Sequence, residues 1–149
     1  MTTIQGRIES DYIVAYKAKD TVRLAVLRHL KTAAKNRGVE LMRPLTDDDL
    51  LEIIARQMKQ RRESIDQYEK HGRADLAAVE AAELVVLQDY MPAPLTDAEL
   101  AEAIDRFAVE TGAQGPKDMG KVMQALAQAC KGRYDGKKAS EAVRARLSS

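Results

Sequence analysis

Pro92 and Pro94 stand one residue apart between two long stretches of helical sequence, and no other feature limits the fold of this chain so strongly. A proline lacks the backbone N–H that a helix needs, and it drives the residue before it out of the helical region. Met91-Pro92-Ala93-Pro94 therefore cannot lie within a helix, and the chain must divide there. On both sides apolar residues recur at helical spacing, and no stretch alternates with period two over the length of a strand.

Capping residues and breakers place the helices. Ile4, Ile8, Tyr12 and Ala15 mark a first helix over residues 4–18. Asp20 is suited to cap a second, expected to end near Arg37 with Gly38 in the left-handed position. Arg43-Pro44 breaks the chain; Thr46 with Asp49 then opens a third helix carrying Leu50, Ile54, Met58, Ile65 and Tyr68 to His71-Gly72. A fourth runs from near Arg73 to Tyr90. Thr96 and Glu99 form a capping box for a fifth, which ends at Thr111-Gly112. Gly115-Pro116 starts a sixth, and Asp135 caps a seventh from Gly136 to Leu147. The expected fold is all-α, with an N-terminal four-helix array over 1–91 and a C-terminal three-helix unit over 95–149.

Composition agrees with this. Of 149 residues 45% are hydrophobic but only 4% aromatic, so the cores must be built from Leu, Ile, Val, Met and Ala, which suits helix packing. The formal charge of +1 conceals an uneven distribution. Nine bases oppose four acids up to Arg43, nine acids oppose the single base Arg106 between Asp75 and Glu110, and bases again dominate from Lys117 onward. Basic ends around an acidic middle either attract each other or form a surface for a polyanion. The single Cys130 excludes an internal disulfide and a cysteine-based metal cluster, and it fits a reducing compartment. The N-terminal residues lack the apolar stretch of a signal peptide, and no run approaches the roughly 20 apolar residues of a membrane span, so a cytoplasmic protein is expected.

Five short motifs follow one another along the chain. They are Leu27-Arg28-His29-Leu30-Lys31 with Lys35-Asn36, Gly72-Arg73-Ala74-Asp75-Leu76, and Tyr90-Met91-Pro92 with Leu95. Then come Lys117 to Met123, and Lys131-Gly132-Arg133 with Gly136-Lys137 and Ser140. In this order they resemble the YqeY family over nearly the whole chain. The later helices also resemble, more weakly, the tail of GatB, the B subunit of the tRNA-dependent amidotransferases. That tail is implicated in holding the tRNA substrate, so the resemblance implies RNA binding, with tRNA the expected RNA. It does not imply amide transfer from glutamine, because the catalytic portion of that subunit has no counterpart in this sequence.

Candidate binding residues fall into two groups. Arg28, Lys31 and Lys35 lie at i, i+3 and i+7 on one face of the second helix, beside the apolar Leu27, Leu30 and Ala34. They are either phosphate ligands or an ordinary solvated face. The other group is Lys121, Lys131, Arg133, Lys137 and Lys138, with Tyr134 as an aromatic that an exposed base would stack on. Gly132, Gly136 and Lys137 miss the phosphate-loop pattern: three residues separate the glycines, Lys138 stands where Ser or Thr should, and no strand precedes them. Free N–H groups at the start of the seventh helix remain a weaker anion site, for which Asp135 would compete; a tight turn is the plainer reading.

Gly120 inside the sixth helix asks for an explanation, with close approach of another helix preferred over that of an RNA backbone. Catalysis has little support. His29 and His71 have no Ser or Cys nucleophile at local spacing. Asp47-Asp48-Asp49 reads as acid enrichment in a first helical turn, Glu80, Glu83 and Asp89 as a solvated acidic face, and Cys130, Met119 and Met123 as packing. No cofactor is expected. The sequence thus reads as a non-catalytic RNA-binding protein; a protein–protein adaptor working through the acidic middle is the alternative, and an accessory to amide transfer a third.

Overall fold

A computed structural model describes residues 3–148; Met1, Thr2 and Ser149 lie outside the described residues. The chain divides into two compact units, Met1–Met91 and Pro92–Ser149. The fold is all-α: seven α-helices and one short 3-10 turn make up the secondary structure of the described residues.

The first unit contains α1 (Ile4–Ala18), α2 (Thr21–Leu41), α3 (Asp47–Lys70) and α4 (Ala74–Gln88). Thr3 caps α1 by accepting the Gly6 N–H, and Asp20 caps α2 by accepting that of Arg23. α3 opens with a reciprocal capping box in which Thr46 and Asp49 each accept the other's backbone N–H. The Arg43 guanidinium closes on the Asp49 carboxylate at 2.6 Å and, with the Thr46 bonds, holds that carboxyl well below the usual range. Ile8 and Ala15 of α1, Val26, Leu27, Leu30 and Ala34 of α2, Leu50, Ile54 and Met58 of α3, and Val86 and Leu87 of α4 form one core with Tyr90. α1 packs on α2, α3 on α4, and α2 also touches α3 and α4.

α2 does not end at Arg37. It continues through Gly38 to Leu41, and Met42 takes the left-handed position at φ 55° with its N–H on the Gly38 carbonyl. Pro44 explains the stop better than the glycine does: it keeps Arg43 out of the helical region, so the helix can run until just before that residue. Lys19 ends α1 in the same way, at φ 58°.

The second unit is a three-helix bundle of α5 (Asp97–Glu110), α6 (Met119–Ala129) and α7 (Gly136–Ser148). Thr96 and Glu99 form the capping box of α5. Pro116 opens a 3-10 turn, Pro116–Asp118, and α6 proper begins after it. The core holds Leu100, Ile104 and Phe107 of α5, Val122 and Leu126 of α6, Cys130, and Ala139, Val143 and Leu147 of α7, with Met119 and Met123 packed against it.

Candidate nucleic-acid interface

α2 buries Val26, Leu27, Leu30 and Ala34 and therefore turns Arg28, Lys31 and Lys35 to solvent. Tyr12 of α1 organises the first two. The Arg28 Nε donates to the Tyr12 hydroxyl at 3.4 Å, and the Lys31 Nζ sits 4.2 Å from the centre of the Tyr12 ring. The Arg28 hydrogen bond, and then the charges of Arg28 and Lys31, lower the Tyr12 pKa. A phenol and a ring face orient cations without neutralising them. Among the described residues no carboxylate pairs with Arg28, Lys31 or Lys35, whereas Arg37 and Arg43 of the same region each pair with one and Arg23 with two.

Beside this stripe lies a cleft of about 530 Å³ between α1, α2 and the α2–α3 connection. Its floor is the edge of the core, namely Ile8, Leu30, Ala34 and Leu50, and Pro44 and Leu45 form a wall. Lys31, Lys35, Thr32, Gln5, Glu9 and Arg43 stand around it. The cleft was not legible in the sequence, because it joins residues more than 40 positions apart through two helix crossings. Its only local signal is the break at Arg43-Pro44, which swings the chain over the end of α2.

The C-terminal group behaves differently. Lys138 pairs with Asp97 at 2.5 Å, which raises its pKa, and Lys121 lies 3.7 Å from Asp118. The Arg133 Nε donates to the Ala93 carbonyl at 2.8 Å, and the Arg133 carbonyl accepts the Leu95 N–H, so this residue ties the Pro92–Pro94 segment to the α6–α7 turn. Tyr134 is half-buried against the second core, and that burial pushes its phenol pKa up. One side of the ring packs on the core, so only part of it faces solvent, where the sequence reading expects an exposed base to stack. Lys131 is half-buried, and Lys137 is exposed. The Lys137 N–H at the start of α7 is already taken by the Asp135 side chain at 3.1 Å, as the competition foreseen for that helix start requires. The sequence grouping therefore separates into an α2 face whose cations meet no acid among the described residues and a C-terminal group in which Lys121, Arg133 and Lys138 are engaged within the second unit and Lys137 is exposed.

Other expectations change as well. The acids expected on one solvated face are only partly so: Glu83 lies 3.4 Å from the buried Arg61, Glu80 is half-buried, and Asp89, exposed just beyond α4, pairs with Arg23 and accepts Arg7 at its carbonyl. The solvent side of α4 is instead Ala78, Ala81, Ala82 and Val85, all exposed. Nor does another helix press on Gly120, since a methyl added there would meet nothing within 4 Å. Cys130 is buried in the second core, His29 is exposed, and the His71 Nδ1 lies 2.7 Å from the Gln67 carbonyl. Among the described residues no group of His, Cys, Asp and Glu is arranged to hold a metal ion, and no helix is long and apolar enough to cross a membrane.

Comparison with known proteins gives one consistent result. A protein of Eremothecium gossypii, named altered inheritance of mitochondria protein 41, mitochondrial, is 36% identical over 112 residues, which is 73% of this chain. The chain spans 61% of that relative's length. The protein of the same name in Pyrenophora tritici-repentis is 29% identical over 147 residues, covering 94% of this chain and 81% of the relative. That of Saccharomyces cerevisiae is 28% identical over 91 residues, covering 60% and 49%. These are fungal proteins named as mitochondrial, and that finding overturns the expectation of a cytoplasmic protein drawn from the missing signal peptide. The family described as Yqey-like protein matches residues 5–147. With nearly every residue from α1 to α7 inside that match, the chain belongs to the YqeY-like family.

Proposed function

We propose that this protein binds structured RNA, and tRNA in particular, through the α2 face formed by Arg28, Lys31 and Lys35. One observation carries the reading. Among the described residues these three cations have no carboxylate partner, and two of them are held in place by Tyr12, so the face keeps its charge and is partly ordered in advance. Such a face gains counterion-release free energy when it meets phosphates, whereas cations already paired with Asp97 or Asp118 must first give up a partner. The choice of tRNA comes from the resemblance of the later helices to an amidotransferase tail. The C-terminal cations are secondary in this reading. Two charge-reversed variants test it: Arg28→Glu with Lys31→Glu and Lys35→Glu, against Lys121→Glu with Lys137→Glu and Lys138→Glu. Binding of labelled total tRNA lost in the first and largely kept in the second supports the assignment. Equal loss in both contradicts it.

A second reading, a protein–protein adaptor, is favoured by the α4 face. Ala78, Ala81, Ala82 and Val85 fall at i, i+3, i+4 and i+7, and Val79 beside them is 54% exposed. An apolar stripe facing water on an otherwise charged molecule suits a partner helix. Association that ignores salt and fails in an Ala82→Glu variant would favour it.

A further inference from the structure

We infer that the cleft beside α2 receives the base of one unstacked nucleotide, with its phosphate on Lys31 and Lys35. This rests on the RNA-binding reading and names what the RNA presents to the site.

Size, floor and rim each contribute. The cleft measures about 530 Å³, inside the range of roughly 300–1,000 Å³ typical of small-molecule sites. Beneath it lie Ile8, Leu30 and Leu50, almost wholly buried in the core, and the apolar surface open to a ligand is that of Ala34, Pro44 and Leu45. A flat base with two weakly hydrated faces covers such a floor well. The rim then selects among apolar ligands. Lys31 and Lys35 call for an anion, but Glu9 and Gln5 stand across from them on α1. An acyl chain ending in a carboxylate, or an acidic peptide side chain, satisfies the lysines but brings no donor to Glu9. A nucleotide satisfies both sides: its phosphate meets the lysines, and an exocyclic amino group donates to Glu9. Lys31 belongs both to this rim and to the stripe ordered by Tyr12, so a strand whose backbone follows α2 passes the mouth of the cleft. Among the described residues no aromatic side chain lines the cleft, so the base is held by burial and by its edge rather than by stacking. Adenine, guanine and cytosine, which carry an amino group, are therefore preferred over uracil.

The test uses the full chain and two ligand sets: the four nucleoside 5′-monophosphates in an amide NMR titration, and labelled RNA as a blunt duplex or with a single-stranded overhang. Ala34→Leu narrows the cleft and Glu9→Ala removes the acceptor, with folding of each checked by thermal melting. The expected result is that AMP, CMP and GMP shift amides of Ile8, Leu30 and Leu45, while UMP binds more weakly. Ala34→Leu should lower affinity for the overhang RNA about tenfold and leave the duplex unaffected, and Glu9→Ala, on the exposed face of α1, should erase the preference over UMP. If RNA binds but nucleotides leave these amides unmoved and overhang affinity is the same in both variants, the inference is overturned and the RNA reading survives. If nucleotides occupy the cleft and no RNA binds, the cleft assignment stands and the RNA reading falls. If neither binds, both fall.

Discussion

Removing one hydroxyl should loosen the whole first unit. Tyr90 is only 3% exposed, its hydroxyl donates to the Asp11 carboxylate at 2.5 Å, and the Arg7 guanidinium lies 4.9 Å from its ring centre. It stands directly before Met91-Pro92 and thus ties the end of α4 back to α1. Tyr90→Phe keeps the ring and its cation contact and deletes only the hydrogen bond. A bond to a charged acceptor contributes about 2 kcal/mol net. For a unit of this size, that loss lowers the melting temperature by about 10 °C. Burial, and after it the Asp11 hydrogen bond and charge, raise the Tyr90 pKa above its ordinary value of about 10. A raised pKa means that folding favours the protonated phenol. The stabilisation is therefore complete below about pH 10 and is lost as pH rises through the folded-state value. Melting followed by circular dichroism should show wild type above Tyr90→Phe at pH 7, with the gap narrowing from about pH 10 upward. A variant that melts within about 1 °C of wild type at pH 7, or a gap unchanged at alkaline pH, would refute this account of Tyr90.

Three further substitutions probe the backbone. Gly120→Ala adds a methyl that meets nothing within 4 Å in the first turn of α6, so it should stabilise the second unit by about 0.5 kcal/mol, read as a higher urea midpoint at unchanged slope. Met42→Gly relieves a left-handed conformation at φ 55° in an exposed residue and should gain about 1 kcal/mol in the first unit by the same assay. Thr46→Ala deletes the capping box of α3 and should cost about 1 kcal/mol, with faster amide exchange confined to that helix's first turn.

Helix starts were the most legible part of the fold. Asp20, Thr46, Thr96 and Asp135 each act where their side chains suggest, because a cap is a contact between residues two or three apart. Helix ends were less so. Gly38 looks like a terminator, yet α2 runs on and a methionine takes the left-handed turn, since the limit comes from Pro44 and not from the glycine. Charge was legible by segment but not by partner. Nothing local tells Lys138, paired with Asp97 some 40 residues away, from Lys35, which meets no acid among the described residues. Tyr134 shows the same gap: flanked by bases in sequence, it turns its ring to the core because α5, α6 and α7 close around it. The cleft escaped altogether, being a product of helix crossings.

The most direct test of the central claim is the salt dependence of tRNA binding by fluorescence anisotropy, for wild type and the Arg28→Glu, Lys31→Glu, Lys35→Glu variant. Three phosphate contacts predict a log–log slope of about −2 to −3 for wild type, a loss of about 20- to 40-fold between roughly 50 and 200 mM salt, and no measurable binding by the variant. A folded wild type that fails to bind tRNA at low salt, or a variant that binds with an unchanged slope, would contradict the assignment of α2 as the RNA-binding face.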